Sequence, residues 1–310
     1  MMKRYAGMGL GMVLAATAQA WAPIGHSMVG DIAESLLTPR ARAAVAEILG
    51  DQKMSDYEVG SWADIIRGTR EYEERYPRNG SWHFVEFDVT LRYHDQFELK
   101  LPGDGNDIVS QIRRWRDELK SGVLEGEARL DGLRFLVHFV GDLHQPLHCA
   151  FRYGDMGGNM LPVEAFQGRH YSYDADTPMD YASNVHSVWD DAMVNELLAG
   201  QDWRKVSRQL QAEITPSQMR WWSSDDPMIW AVDSYWRARK DVYRWADGTA
   251  LPYKWARPGM TLTSDNYIDA KLPIVREQLQ KGGVRLAHAL NMAFDPDYAG
   301  PSKEGEKGEE

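Results

Sequence analysis

Two pairs of residues with metal-binding chemistry recur at one spacing in this 310-residue chain. His138 and Asp142 lie four apart in FLVHFVGDLHQPLH, and His186 and Asp190 lie four apart in NVHSVWD. On a helix that separation puts both side chains on one face, where an imidazole and a carboxylate can grip one cation or two adjacent ones. Alone, the first pair equally describes a buried hydrogen-bonded couple, because Phe135, Leu136, Val137, Phe139 and Val140 around it are core residues. Its repetition on a second segment favours metal, since helical bundles build metal sites from side chains on facing helices. Asp64 in SWADIIR and His83 in SWHFVEF are further candidates. Taken singly, Asp64 also reads as a helix-surface carboxylate and His83 as a strand histidine paired with an acid.

The N-terminus adds a different kind of ligand. Lys3 and Arg4, an apolar run over 6–18 and Ala18-Gln19-Ala20 have the pattern of a signal peptide spanning residues 1–20. That run is shorter than the roughly 20 residues needed to cross a bilayer. A cut after Ala20 makes Trp21 the first residue of an exported, soluble protein, secreted or periplasmic. Its α-amine, with a pKa of about 8, gives up a proton to a metal at neutral pH. Amine, carbonyl oxygen and the nearby His26 can then share one ion.

Losing Lys3 and Arg4 takes the formal net charge from −11 to −13. Such a chain is ill suited to gripping nucleic acid through basic patches, and well suited to binding cations. Cys149 is the only cysteine, so no intramolecular disulfide is available despite export. Stability must come from the core, from bound metal or from both.

The elements that must position these residues are helical. Apolar residues at three- and four-residue spacing predict helices over 24–37, 108–119, 130–143, 181–198, 203–214, 229–245 and 272–292. Thr38-Pro39 and Gly50 bracket another as N-cap, first-turn proline and stop. Segments 82–89 and 160–166 have β character compatible with a small hairpin. The expected fold is all-α, one domain over 21–300. The tail 301–310, PSKEGEKGEE, lacks apolar residues and is expected to be disordered. Seven of the 12 tryptophans lie between 203 and 255. The spacing of Ile229, Val232, Trp236, Val242 and Trp245 favours core packing there over a second surface for stacking bases.

WxxxGH from Trp21, SWAD, WHF, HFxGDxHQPLH, GDxGGN and NxHxxWD stand in this order between residues 21 and 190. In that order they resemble the zinc-dependent single-strand-specific nucleases of the S-one and P-one type, the bifunctional nucleases. The absence of disulfides resembles the bacterial members more than the fungal ones. The resemblance implies a helical fold of the phospholipase C and nuclease P-one type with three Zn²⁺ in a cleft. Asp64, His83, His138 and Asp142 would hold one zinc of a close pair, and His148, His186 and Asp190 its partner. Trp21, His26 and a bridging Asp142 would hold the third. Nine N- and O-donor residues for three ions match open, catalytic coordination rather than a closed structural site. His144 falls at a variable position and is read as supporting or structural, and Cys149 as a bystander.

The implied activity is zinc-assisted attack of water on phosphorus, cutting single-stranded RNA and DNA to 5′-nucleotides and acting on 3′-nucleotides. Arg67 matches an arginine near the phosphate, where its planar fork suits a non-bridging oxygen; a surface helix charge is the plainer reading. Glu86 stands where some relatives carry an Asp that orients water, and is one methylene longer. Phe84, Gly158 and Asn159 match the place where a base is held, and stacked bases are free only in single strands. No protein partner is implied. Two other readings share the residues: a zinc-dependent phospholipase C, whose mature chain also begins with Trp, and a secreted binding protein with structural zinc.

Overall fold

The computed structural model describes residues 21–91, 99–170, 184–254, 256 and 258–301. Residues 1–20, for which a signal peptide is expected, Trp255 and residues 302–310 lie outside them.

Helix starts follow from local capping. Thr38 accepts a hydrogen bond from Ala41 N ahead of Pro39, Asp107 from Ser110 N, and Thr215 forms a reciprocal capping box with Gln218. In chain order the helices are α1 (Pro23–Ser35), α2 (Pro39–Leu49), the short α3 (Tyr57–Gly60), α4 (Trp62–Ile66) and α5 (Arg70–Arg75), then α6 (Ile108–Ser121) and α7 (Gly126–Leu143). They continue with α8 (Val185–Ser187), α9 (Met193–Leu198), α10 (Trp203–Glu213), α11 (Pro216–Trp222), α12 (Pro227–Arg237) and α13 (Asp269–Phe294). The structure is mostly helical, as the periodicity predicts.

The 26-residue α13 is the central post. From Gln278 to Asn291 it is buried on every side, and its side-chain amides donate to neighbouring elements. Gln278 donates to His144 O and Ser234 Oγ, Gln280 to Leu210 O, and Asn291 to Leu36 O. α1 crosses it at Gly282-Gly283. A Cβ on Gly283 would lie 2.3 Å from Ile32 Cγ2, so only glycine permits that approach.

A second core of aromatic rings joins α4, α6 and α7. Phe135 meets Trp62, Tyr76 and Trp115 at centroid distances of 5.1, 5.0 and 4.9 Å, and Trp82 packs on Phe135 and Phe139. Trp62 and Trp82 stand two and one residues before Asp64 and His83. The tryptophans of SWAD and WHF are therefore anchors that present Asp64 and His83 to α7.

The two segments with β character do not pair with each other, and only the second forms a tight hairpin, with residues 169–170. β1 (Phe87–Asp88) pairs parallel with β2 (Ala150–Phe151), while β3 (Val163–Phe166) lies between antiparallel β4 (Arg169–His170) and parallel β5 (Met260–Leu262). Each segment found a partner far along the chain because the helices between them set their positions. The Trp-rich stretch is also corrected in detail. Trp230 and Tyr235 are fully buried on α12, whereas Ile229 is exposed and Val232 only half-buried, so the inward face is one residue out of step. Trp230 anchors that face by donating from its indole to Ser224 O. Trp222 is buried, Trp203, Trp236 and Trp245 pack partly against the core, and Trp221 is 84% exposed.

Candidate metal centre

α7 supplies His138 and Asp142, both fully buried. Asp142 is the hub. Its Oδ2 lies 2.9 Å from His83 Nδ1 and 3.2 Å from His138 Nε2, and its Oδ1 lies 3.2 Å from His26 Nε2 on α1. Asp64, on α4, places its carboxylate 3.6 Å from His83 Nδ1 and 3.7 Å from His138 Nε2. The His26 ring stacks on His138 at 4.2 Å. Gly141 makes room for it, since a Cβ there would lie 2.5 Å from His26 Nδ1.

The second group rests on shorter elements. His148 sits in a 3-10 turn, Pro146–Cys149, and His186 on α8. Asp190 lies in a π turn, Val188–Ala192, a widening frequent at functional sites. His186 Nε2 is 3.2 Å from His148 Nε2 and 3.6 Å from Asp190 Oδ2. The two groups adjoin, because His148 Nδ1 donates to His83 O at 2.7 Å.

The hydrogen bonds fix which nitrogens face inward. The Nδ1–H groups of His138 and His186 donate to Gly60 O and Gly157 O, each at 2.7 Å. The Nε2 atoms of neutral His148 and His186 therefore carry lone pairs into the centre, and His138 offers its own once a metal displaces the Nε2 proton that Asp142 holds. Two lone pairs facing each other at 3.2 Å repel unless a cation lies between them. A tetrahedral ion with metal–nitrogen bonds of about 2.0–2.1 Å would hold its ligand atoms about 3.3 Å apart, close to the separations seen. His83 Nε2, Asp64 Oδ1 and Asp142 Oδ1 are buried without a hydrogen bond, as are both ring nitrogens of His26. The 3.2 Å approach of His26 to Asp142 is an ion-pair contact without hydrogen-bond alignment. Unmet buried polar atoms cost roughly 1–3 kcal/mol each, and of these His26 Nε2 and Asp142 Oδ1 face each other at 3.2 Å. The donor set fits metal ions.

The electrostatics agree. Burial pushes His148 down to about 3 and His186 to about 4, leaving both neutral and ready to ligate at neutral pH. Burial lowers His26 and His83 too. Against its burial, His138 is raised to about 9 by Asp142 and Asp64. Asp142 is itself held well below the usual carboxylate range, burial being overcome by His138, His26 and His83. Asp190 is raised well above that range by burial, opposed by the Gln145 amide, which donates to its Oδ1 at 2.6 Å.

His26, Asp64, His83, His138, Asp142, His148, His186 and Asp190 thus fall into groups that could hold metal, with His138 common to two of them. Trp21 is fully buried against Gly25, and the Ala22 amide that follows donates to Asp190 O at 2.7 Å. Arg67 borders the cluster, 4.0 Å from Asp64 and donating to Gly80 O. Phe84 is half-buried beside His83, while Glu86 is exposed and makes no ion pair with the clustered histidines. Asn159 is half-buried and donates to Met156 O. Gly158, at φ +84°, belongs to the turn that brings Gly157 O to His186. His144 lies outside the groups, donating to Val140 O and accepting from Arg285 Nη1 at 2.9 Å. Cys149 is buried, its Sγ 3.4 Å from Leu143 O, and burial pushes its thiol up.

Sequence reasoning passed over Gln145, although it stands inside HQPLH, and the roles of Gly60, Gly141 and Gly157. Their signal was present only as motif letters beside the ligands. A carbonyl that orients an imidazole leaves no trace in side-chain type.

The family described as S1/P1 Nuclease matches residues 21–295. Endonuclease 4 of Arabidopsis thaliana is 29% identical over 300 residues, covering 91% of this chain and 93% of that protein. Nuclease P1 of Penicillium citrinum is 26% identical over 292 residues, covering 90% and 100%. Nuclease S1 of Aspergillus oryzae is 27% identical over 298 residues, covering 91% and 94%. Joined to a buried cluster of imidazoles and carboxylates suited to metal, the match across most of its length means that the chain belongs to the S1/P1 nuclease family.

Proposed function

We propose that the chain, freed of residues 1–20, is an exported zinc endonuclease. It would hydrolyse single-stranded RNA and DNA to 5′-nucleotides and remove phosphate from 3′-nucleotides. One observation carries this reading: ligand groups from α1, α4, α7 and two short turns converge on Asp142 and His138 in a nuclease-family chain. The phospholipase C alternative is not favoured, because the family and the named relatives are nucleases.

Asp64, His83, His138 and Asp142 would hold one zinc, and His148, His186 and Asp190 a second. In the full chain the nitrogen of Trp21 is part of a peptide bond. Cleavage before it would free an amine to join its carbonyl, His26 and Asp142 around a third. Bound zinc supplies a Lewis acid for the phosphoryl group and lowers the pKa of water. Around it, the chain positions and discriminates. Arg67 would direct N–H groups at a non-bridging phosphate oxygen. Phe84 would stack on a base, an interaction worth about 1–3 kcal/mol that a base already paired in a duplex cannot offer. Gly158 and Asn159 would line the same base. Glu86 is assigned the orientation of water, reached from a shifted backbone. Capture of phosphate by metal on an acidic protein predicts weaker salt dependence than for a basic nuclease.

The test joins N-terminal sequencing and metal analysis of the exported protein to assays on matched single- and double-stranded DNA, before and after chelation. A Trp21 start, close to three zincs and chelator-sensitive release of 5′-nucleotides from single strands are expected. Metal-free turnover, or equal cleavage of duplex, would refute the reading.

A further inference from the structure

Tyr153 and Tyr253 form an exposed aromatic pair beside the loop that holds His186. They are 53% and 65% exposed, with ring centroids 5.3 Å apart. Beneath them Arg152, itself buried, lies 4.8 Å from the Tyr243 ring and 5.6 Å from the Tyr253 ring. It donates to the carbonyls of Leu251 and Pro252, fastening the Tyr253 segment to the loop. Buried Asp155 fixes the same loop, accepting from Arg152 N at 2.9 Å and from Tyr243 OH at 3.2 Å. Tyr153 adopts φ +53°, a left-handed conformation unusual for a bulky residue. Backbone held this way by its surroundings is common at ligand sites.

The loop then runs to Gly157, whose carbonyl orients His186. The four residues from Tyr153 to Gly157 can span at most about 14 Å. At 3.4 Å per stacked nucleotide, that is about four nucleotides. Exposed Lys254, bonded to Gly154 O at 3.4 Å, brings positive charge to the pair. We propose that Tyr153 and Tyr253 form an accessory base-stacking subsite for a single-stranded nucleic acid running to or from the metal centre, with Lys254 facing its backbone phosphate. This rests on the nuclease reading above. The plainer alternative, that the two rings only staple the loop to the 251–254 segment, predicts equal damage on every substrate.

The experiment compares Tyr153→Ala, Tyr253→Ala and their Phe counterparts in the zinc-loaded, processed enzyme. Substrates are a thymidine dinucleotide and a thymidine dodecamer, with binding of a phosphorothioate dodecamer followed by fluorescence anisotropy. Each Ala variant is expected to raise KM for the dodecamer and weaken phosphorothioate binding by about five- to 150-fold, as loss of one stacked base does. Dinucleotide hydrolysis should stay unchanged, and the Phe variants should behave as wild type. Equal losses on both lengths, or no loss on either, would overturn the proposal. If the wild-type enzyme cut neither substrate, the nuclease reading would fall, while phosphorothioate binding would still decide the stacking pair.

Discussion

The two halves of the centre are built differently. Asp142 and His138 project from an 18-residue helix, and the ligands they meet come from α1, α4 and the segment after Trp82. His148, His186 and Asp190 stand on a 3-10 turn, a three-residue helix and a π turn, with the two imidazoles held by backbone carbonyls. The α7 half carries two carboxylates whose charge its own imidazoles partly balance. The turn half sets two neutral imidazoles face to face beside a buried acid. The first is rigid by packing and the second by local hydrogen bonds. Their failures should therefore differ.

The largest expected effect is at the hub. Asp142→Asn weakens contacts with three histidines at once, and the lost metal-based stabilisation of several kcal/mol corresponds to a fall of about 10³-fold in kcat/KM. Asp190→Asn touches one half only, so zinc analysis should find it retaining more metal than Asp142→Asn. Equal loss of metal in the two variants would break the asymmetry.

Next come the glycines that make room in each half. Gly141→Ala drives a methyl to 2.5 Å from His26 Nδ1, and Gly157→Ala drives one to 2.6 Å from Leu147 O at φ +61°. The first should cost about 1–3 kcal/mol of stability by overpacking. It should also displace His26, lowering zinc stoichiometry, while the second should disturb only the turn half, at His186 and the backbone before His148. Thermal melts paired with metal counts separate the two. Gln145→Ala should act more mildly, reducing zinc affinity about 10–100-fold by releasing Asp190, as loss of an outer-shell partner does. Competition with a chelator reads it, and unchanged affinity would leave the amide a purely structural role.

Most residues of the cluster were legible because their type and spacing state the chemistry: H-x-x-x-D on α7 marked His138 and Asp142, which lie 3.2 Å apart. The helices were legible from their caps and periodicity. What supports the site was less so. Gly60 O and Gly157 O act through backbone groups, which any residue carries. The face of α12 was misjudged because periodicity ranks Ile229 with Trp230, and only tertiary contacts of Trp230 with Ser224 O and His144 decide which turns inward. The partner of residues 87–88 was hidden for the same kind of reason, since their pairing with residues 150–151 is a consequence of tertiary placement. Glu86 matches a motif position and stands exposed, so its role is the one that burial and ion pairing do not support by themselves.

The smallest effect concerns acid, and it sharpens the comparison in the metal-free protein. His148 and His186 are held at about 3 and about 4 by burial, below the unfolded value of about 6.5. Between pH 6.5 and those values the unfolded chain binds protons that the folded chain refuses, so stability falls as pH drops. His26 and His83, also lowered, act in the same direction. His138 has the opposite sign: raised to about 9, its contribution is complete below about 6.5 and is lost only as pH rises through 9. Urea denaturation of the chelated protein should thus show stability declining from about pH 6.5 towards about pH 4, and His148→Gln should flatten that decline. A wild-type profile that is flat or rises into acid would mean that the turn half is hydrated and relaxed without metal. With zinc bound, the same protons must compete with the ion for Nε2, so the slope should move from folding stability into metal affinity.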